Sequence, residues 1–267
     1  MKNASSTKKI ISAAVTIVVI ILIIAVAGFI GYKSCVQSAP VNEYRVEATE
    51  ESGTEGSKDI TASDSEKSKK AKNPIDFKSL QKKNSEAFGW IYIPGTNVDY
   101  PILQSESDDN FYLHRDLNKD YKYAGSIYMQ YCNSSEMTDR VSVLYGHNMM
   151  DGSMFASLHR FESQDFFDKH RWFYIYLPKQ KLTYEIVSAY EFDSRHIMNS
   201  YNFAENKIFK DYLETIQNPR ALVSNVREKL HHKLTIKDKI VTLSTCLDSG
   251  DGRYLLQGVL VKDESTR

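Results

Sequence analysis

The chain predicts a mostly β domain, closed as a barrel or sandwich, and three observations carry that expectation. About nine short runs are rich in β-branched and aromatic residues; Gly, Pro, Asn and Asp clusters punctuate them; and only two stretches carry helical spacing. Strands that follow one another without regular intervening helices argue against a parallel α/β sheet. In chain order, Asn73-Pro74 opens the domain, and Asp76 caps a short helix whose apolar positions are Phe77, Leu80, Ala87 and Phe88. The period then changes. Residues 90–93 read as a strand, residues 94–97 as a turn, and residues 98–103 as a second strand interrupted by Pro101. Residues 126–131, 141–145, 172–177, 181–192, 233–236, 240–244 and 254–261 continue the series. One insertion, residues 202–226, breaks it: Ile208, Phe209, Tyr212, Leu213 and Ile216 mark an amphipathic helix that ends before Asn218-Pro219. That helix must lie against the barrel, either covering its core or forming a wall of a groove. No internal repeat is present.

Upstream of this domain the composition changes twice. From Ile10 to Tyr32 no charge occurs and Ile, Val and Ala dominate; at about 1.5 Å per residue a helix of that length crosses a hydrocarbon core of roughly 30 Å. Residues 10–32 are therefore expected to be a transmembrane anchor. Lys2, Lys8 and Lys9 precede it and Lys33 alone follows closely, which places residues 1–9 in the cytoplasm and the rest outside. Ala25-Val26-Ala27 resembles a signal-peptide cleavage site, but the apolar run continues beyond it. Residues 33–72, rich in Glu, Ser, Thr, Lys and Gly, read as a disordered stalk, leaving residues 73–267 as the folded domain.

Lys plus Arg and Asp plus Glu balance at 34 each, so no basic field exists to hold nucleic acid, and none is expected as a partner. Cys35, Cys132 and Cys246 are too few and too scattered for a disulfide framework or a metal site. Cys35 lies at the membrane exit and Cys132 in a turn-like stretch, read as filler.

Cys246 ends the run Thr242-Leu243-Ser244-Thr245-Cys246, where a strand meets a loop. Alone, a small apolar thiol suits the end of a buried strand. Thiol catalysis requires a thiolate, a proton carrier and a donor for the oxyanion. His147 follows the strand-like residues 141–144 at a glycine and is the candidate proton carrier; His114, His159, His170, His196, His231 and His232 lie in polar or helix-like settings. His231-His232 lacks further ligands at metal spacing, so neither metal nor cofactor is expected. Arg253 follows the polar, glycine-bearing loop 247–252, and a hairpin there returns it alongside Cys246. Its guanidinium suits an oxyanion or a substrate carbonyl; the alternative is a surface ion pair with Asp248 or Asp251. Ser244 and Thr245 are candidates to line a groove, and Asp248 to orient Arg253.

These residues resemble the sortases, the cell-wall transpeptidase family of Gram-positive bacteria, whose signature joins a TLxTC strand end, a downstream arginine and an upstream histidine. Residues 242–246, Arg253 and His147 match it, and residues 88–96 and 146–149, the anchor and the stalk extend the similarity over most of the chain. Ser244 and the two helices resemble class B. The resemblance implies a closed β-barrel of about eight strands with an N-terminal helix and a long helix inserted before the last strands. It also implies a two-step acyl transfer. Cys246 would attack a threonine carbonyl in the C-terminal sorting signal of a secreted protein, and an amine of the lipid-linked peptidoglycan precursor would resolve the thioester. Asn110 and Leu113 lie where class B enzymes resemble one another near the substrate, and Tyr201 and Ile208, at the inserted helix, are further candidate contacts. Two other readings stay open: a cysteine peptidase or amidase with water as acceptor, and a non-catalytic β-domain for surface display.

Overall fold

The computed structural model describes residues 41–46, 71–247 and 250–267. The expected anchor and most of the expected stalk lie outside these residues; among those described, no helix is long and apolar enough to cross a membrane.

Nine strands form one sheet: β1 Ala87–Tyr92, β2 Asp99–Leu103, β3 Ile127–Met129, β4 Val141–Tyr145, β5 Trp172–Leu177, β6 Gln180–Phe192, β7 Ser224–Val226, β8 Ile240–Cys246 and β9 Arg253–Ser265. Their order is β5-β1-β2-β3-β4-β8-β9-β6-β7, and β5 also pairs with β6, closing eight strands into the expected barrel. β6 is long enough to serve two neighbours: residues 180–185 pair with β5, and residues 188–190 pair with β7 beyond a register shift at Ile186/Ser188. A shift of this kind bends a strand, and it lets one strand leave the barrel wall while the rest stays closed. β2–β3 and β4–β8 are parallel; the other pairs are antiparallel.

Among the described residues four α-helices decorate the barrel: α1 Phe77–Lys83, α2 Gln164–Lys169, α3 Ile197–Ser200 and α4 Asn206–Gln217. Asp76 caps α1 as expected, accepting from the Ser79 amide at 3.1 Å. The helix is shorter than its sequence pattern. Asn84 ends it with an extended backbone and turns its amide side chain onto Tyr112 and the Leu117 carbonyl, so Ala87 and Phe88 belong to β1.

α4 lies against the barrel. Phe209, Tyr212, Leu213 and Ile216 are buried with Val143, Val187, Ile240, Leu255 and Val259 from the strands. Residues 233–236, expected as a strand, form none. The Asp238 carboxylate accepts from the Thr235 amide at 2.6 Å and bends the segment into a turn, a local bond that wins over apolar alternation. The strand of this region is instead β7, which the polar run Ser224-Asn225-Val226 conceals.

The stretch read as a stalk is partly attached to the domain. The Arg45 guanidinium pairs with Asp99 at 2.8 Å and covers the Tyr92 ring, while Val46 donates to the Pro74 carbonyl. Ala71 bridges to Thr266 at the other end of the chain.

Candidate active site

β8 carries the site because β9 flanks it to its last residue while β4 flanks it only as far as Ser244. On one side it runs parallel to β4, with Tyr145 opposite Ser244; on the other it runs antiparallel to β9, with Cys246 opposite Arg253. The first six residues of β8 are thus buried, and Cys246 is the point at which the strand becomes partly exposed. β4 ends at Tyr145, and the next two residues are Gly146 and His147. His147 therefore leaves the sheet one strand away from the thiol.

Two glycines make these exits possible. A Cβ on Gly146 would sit 2.5 Å from Ile127 Cδ1 and 2.7 Å from the Phe155 ring, so only a bare backbone passes there. Gly252 holds φ +105°, and a Cβ would meet the Phe192 carbonyl at 2.7 Å. Any larger residue at either point displaces the histidine or the arginine that follows it.

Cys246, His147, Arg253, Ser244, Thr245 and Leu113 line one small cleft with Tyr128, Tyr145 and Gly146. An adjoining cleft of about 190 Å³ shares Leu113, Ser244 and Arg253 and adds Asn110, Gln130, Arg195, His196 and Ile197. The residues named from the sequence thus meet, with two exceptions and one outside the described residues. Tyr201 stacks on Phe203 and edges onto Tyr212 in the packing between α4 and the barrel, and Ile208 is on α4; neither lines the two clefts. A helical insertion that packs inward through its apolar stripe leaves no reason for those side chains to reach the groove. Asp248 falls outside the described residues.

The proton inventory at His147 is defined by a backbone group. Its Nε2 lies 2.9 Å from the Leu113 carbonyl, an acceptor, so Nε2 carries a proton and Nδ1 is the nitrogen left to exchange one. Leu113 therefore contributes its main chain as well as a cleft-lining side chain. The ring is stacked on His114 at 5.1 Å and on Tyr123 at 5.7 Å. Burial pushes the His147 imidazole below the ordinary histidine value; the Leu113 bond opposes this and the neighbouring His114 reinforces it. Tyr128 is raised to about 12, chiefly by burial, with Arg253 pulling the other way. Burial likewise raises Tyr145, which lies parallel to Tyr128 at 5.4 Å. Both phenols stay protonated at working pH, so they serve as walls and donors. Arg253 donates to the Gly252 carbonyl at 2.9 Å, which anchors the start of β9.

Three residues at the site escaped the sequence reading. Asn148 Nδ2 donates to the Cys246 carbonyl at 3.1 Å, and His159 Nε2 is 3.0 Å from the same oxygen, with Glu162 2.6 Å from the other ring nitrogen. Asn148 adjoins His147 and was within reach of the motif. His159 stands in a short 3-10 helix, Ala156–Glu162, and nothing in its local pattern sets it apart. Cys132, read as filler, is exposed in its turn.

Known proteins resemble the chain in both sequence and structure. A family model of the sortase domain matches residues 91–261. The sortase B of Listeria monocytogenes is 38% identical over 189 residues, covering 70% of this chain and 74% of that protein. The sortase B of Staphylococcus aureus is 30% identical over 173 residues, covering 65% and 68%. The crystal structure of Clostridium perfringens sortase B superposes with a TM-score of 0.63 at 30% identity, covering 70% of this chain and all of that one. Matched by family, by relatives over most of their length and by an eight-strand barrel with a thiol at the end of β8, this chain belongs to class B of the sortase family, the cysteine transpeptidases of the cell wall.

Proposed function

We propose that the protein is a membrane-anchored transpeptidase in which Cys246 carries the acyl group, His147 moves the proton and Arg253 steadies the oxyanion. The observation that carries this reading is the register of β8: Arg253 is opposite Cys246 on one side, and His147 follows the end of β4 on the other. In the first step the Cys246 thiolate attacks the carbonyl of a threonine in the sorting signal, and the Arg253 guanidinium donates to the oxygen as it gains charge. The C–N bond then breaks, the departing amine takes a proton from His147 Nδ1, and a thioester remains. In the second step an amine of the peptidoglycan precursor attacks the thioester, gives its proton to Nδ1 and displaces the thiolate. With His147 held below its usual value, the imidazolium needed in the first step is a minority species near neutral pH, and turnover is slow.

The anchor at residues 10–32 would hold this chemistry at the outer face of the membrane, beside both a secreted substrate and a lipid-linked amine. The test uses the full chain in detergent with a library of candidate sorting peptides, read by intact mass. A thioester adduct that vanishes in Cys246→Ala supports the reading, and added triglycine should divert product from the free acid to the amide. Hydrolysis that ignores the amine favours the peptidase alternative. No adduct with any peptide, while iodoacetamide still modifies Cys246, overturns acyl transfer.

A further inference from the structure

The backbone of the nucleophile poses an accounting problem. In the parallel β4–β8 pair, the Ser244 carbonyl accepts from the Gly146 amide at 3.2 Å. Two residues on, the Cys246 carbonyl faces the same flank of β8, but β4 has already left the sheet. A backbone acceptor half-buried at a strand end must find another donor or lose the free energy of its hydration. Side chains supply it: Asn148 Nδ2 at 3.1 Å and His159 Nε2 at 3.0 Å.

His159 is itself held from two other directions. Glu162 Oε1 lies 2.6 Å from Nδ1, and the Tyr254 ring packs beneath the imidazole at 4.8 Å and 26°. Its side chain is 16% exposed. Nδ1–H donates to the Glu162 carboxylate, and Nε2 lies 3.0 Å from the Cys246 carbonyl and 3.2 Å from Asn148 Nδ2. The ring grips the carbonyl when Nε2 is protonated as well, as the imidazolium that Glu162 pairs with. Tyr254 stands opposite Thr245 in the β8–β9 ladder, so the ring beneath His159 belongs to the same strand pair that carries the thiol. Glu162, His159 and the Cys246 carbonyl make a continuous chain from the protein surface to the main chain of the nucleophile.

We propose that His159, aimed by Glu162, is a positioning residue for acyl transfer: by gripping the Cys246 carbonyl where the ladder has run out, it sets the direction in which Sγ leaves β8. The inference rests on Cys246 being the acyl carrier. Asn148 keeps the carbonyl satisfied if His159 is removed, so the contribution of the second donor is angular. Attack on a carbonyl tolerates little angular error, and a misplacement of about 1 Å costs on the order of 100-fold in rate.

The experiment compares His159→Leu, His159→Gln and Glu162→Gln in the full chain. Leucine fills similar space without a donor; glutamine retains an N–H near the same place. In His159→Leu, kcat for a sorting peptide should fall roughly 10- to 100-fold with KM within about twofold. Glutamine should restore most of that loss, and Glu162→Gln should lose less than His159→Leu, about 3- to 10-fold. Alkylation of Cys246 by iodoacetamide, which makes no demand on a bound carbonyl, should change little in any variant. His159→Leu that turns over at the wild-type rate overturns the proposal. Equal losses in the leucine and glutamine variants, accompanied by equal falls in thermal midpoint, overturn it in favour of packing. A wild type that is alkylated but turns over no peptide overturns acyl transfer, and this proposal with it.

Discussion

Thr242 and Thr245 stand on the same strand, both buried, and their hydroxyls have opposite fates. Thr242 Oγ1 is 2.9 Å from Tyr212 of α4 and donates to Gln257 Oε1 at 2.7 Å, while Gln257 Nε2 reaches Tyr190 at 3.1 Å. The network is buried throughout and ties the inserted helix to β8 and β9. Thr245 Oγ1 has no hydrogen-bond partner among the described residues, although its residue lines the cleft beside the nucleophile. One signature motif therefore contains two kinds of threonine. The first is explained by the fold; the second carries an energetic cost that the fold does not repay, which is the mark of a group kept for chemistry.

The largest expected effect lies at the cleft end of the motif. Cys246→Ala should abolish thioester formation, a loss of at least about 10³-fold in kcat/KM, with the thermal midpoint nearly unchanged because the side chain is only half-buried. An equal fall in both measurements would erase the distinction between the two halves.

Thr245→Val sharpens it further. Removing an unsatisfied hydroxyl at constant shape should leave stability unchanged or raise it by about 1 kcal/mol, while kcat/KM falls roughly tenfold if the hydroxyl meets the substrate. Chemical denaturation and peptide turnover on the same sample decide this, and unaltered turnover would make Thr245 a packing residue.

Thr242→Val should do the reverse. It strands buried polar atoms on Tyr212 and Gln257 at a cost of about 1–3 kcal/mol, with specific activity of the folded fraction preserved. A lost activity without lost stability would break the comparison.

The smallest effect is in the pH profile. The imidazolium of His147 is required with the thiolate, so the profile of kcat/KM is bell-shaped, and its acid limb should lie below the usual histidine midpoint of about 6.5. Burial is the main cause and persists in His114→Gln, which removes only the neighbouring charge. That variant should move the acid limb upward by on the order of a few tenths of a pH unit. For stability the sign is the same as for any depressed base. The folded state resists protonation, so the contribution of His147 is intact above the unfolded value and is lost as pH falls through the folded one. A limb that stays fixed in His114→Gln would assign the depression to burial alone.

How much of this was legible in the sequence differs between strand interiors and strand ends. Alternation located the barrel, because a wall with one face inward imposes period two on any sequence that forms it. It failed at residues 233–236, where Leu234 and Ile236 mimic a strand but Asp238 captures the Thr235 amide, and at β7, where a three-residue edge pairing offers too few apolar positions to register. Cys246, His147 and Arg253 were readable because each sits beside a motif or a glycine that has to be there. Tyr201 and Ile208 stand outside the two clefts, Tyr201 because it caps α3 and packs on Phe203 and Tyr212, Ile208 because it rides on a helix whose apolar stripe faces the barrel, a difference that apolar spacing alone does not reveal. His159 was invisible because its partner is a backbone carbonyl 87 residues away, and main-chain acceptors leave no signature in composition or period.

The parallel pairing of β4 with β8 also governs when the enzyme comes into being. Asn148 and the Cys246 carbonyl are 98 positions apart, and the strands bearing them must find each other across almost half of the described domain. Contacts of such long range form late, after local hairpins such as β5–β6 have condensed. A chain still emerging during synthesis can hold a histidine at the end of β4 long before it owns a thiol. The reactive centre thus matures only with the last strands, and a truncated or half-folded molecule is chemically mute.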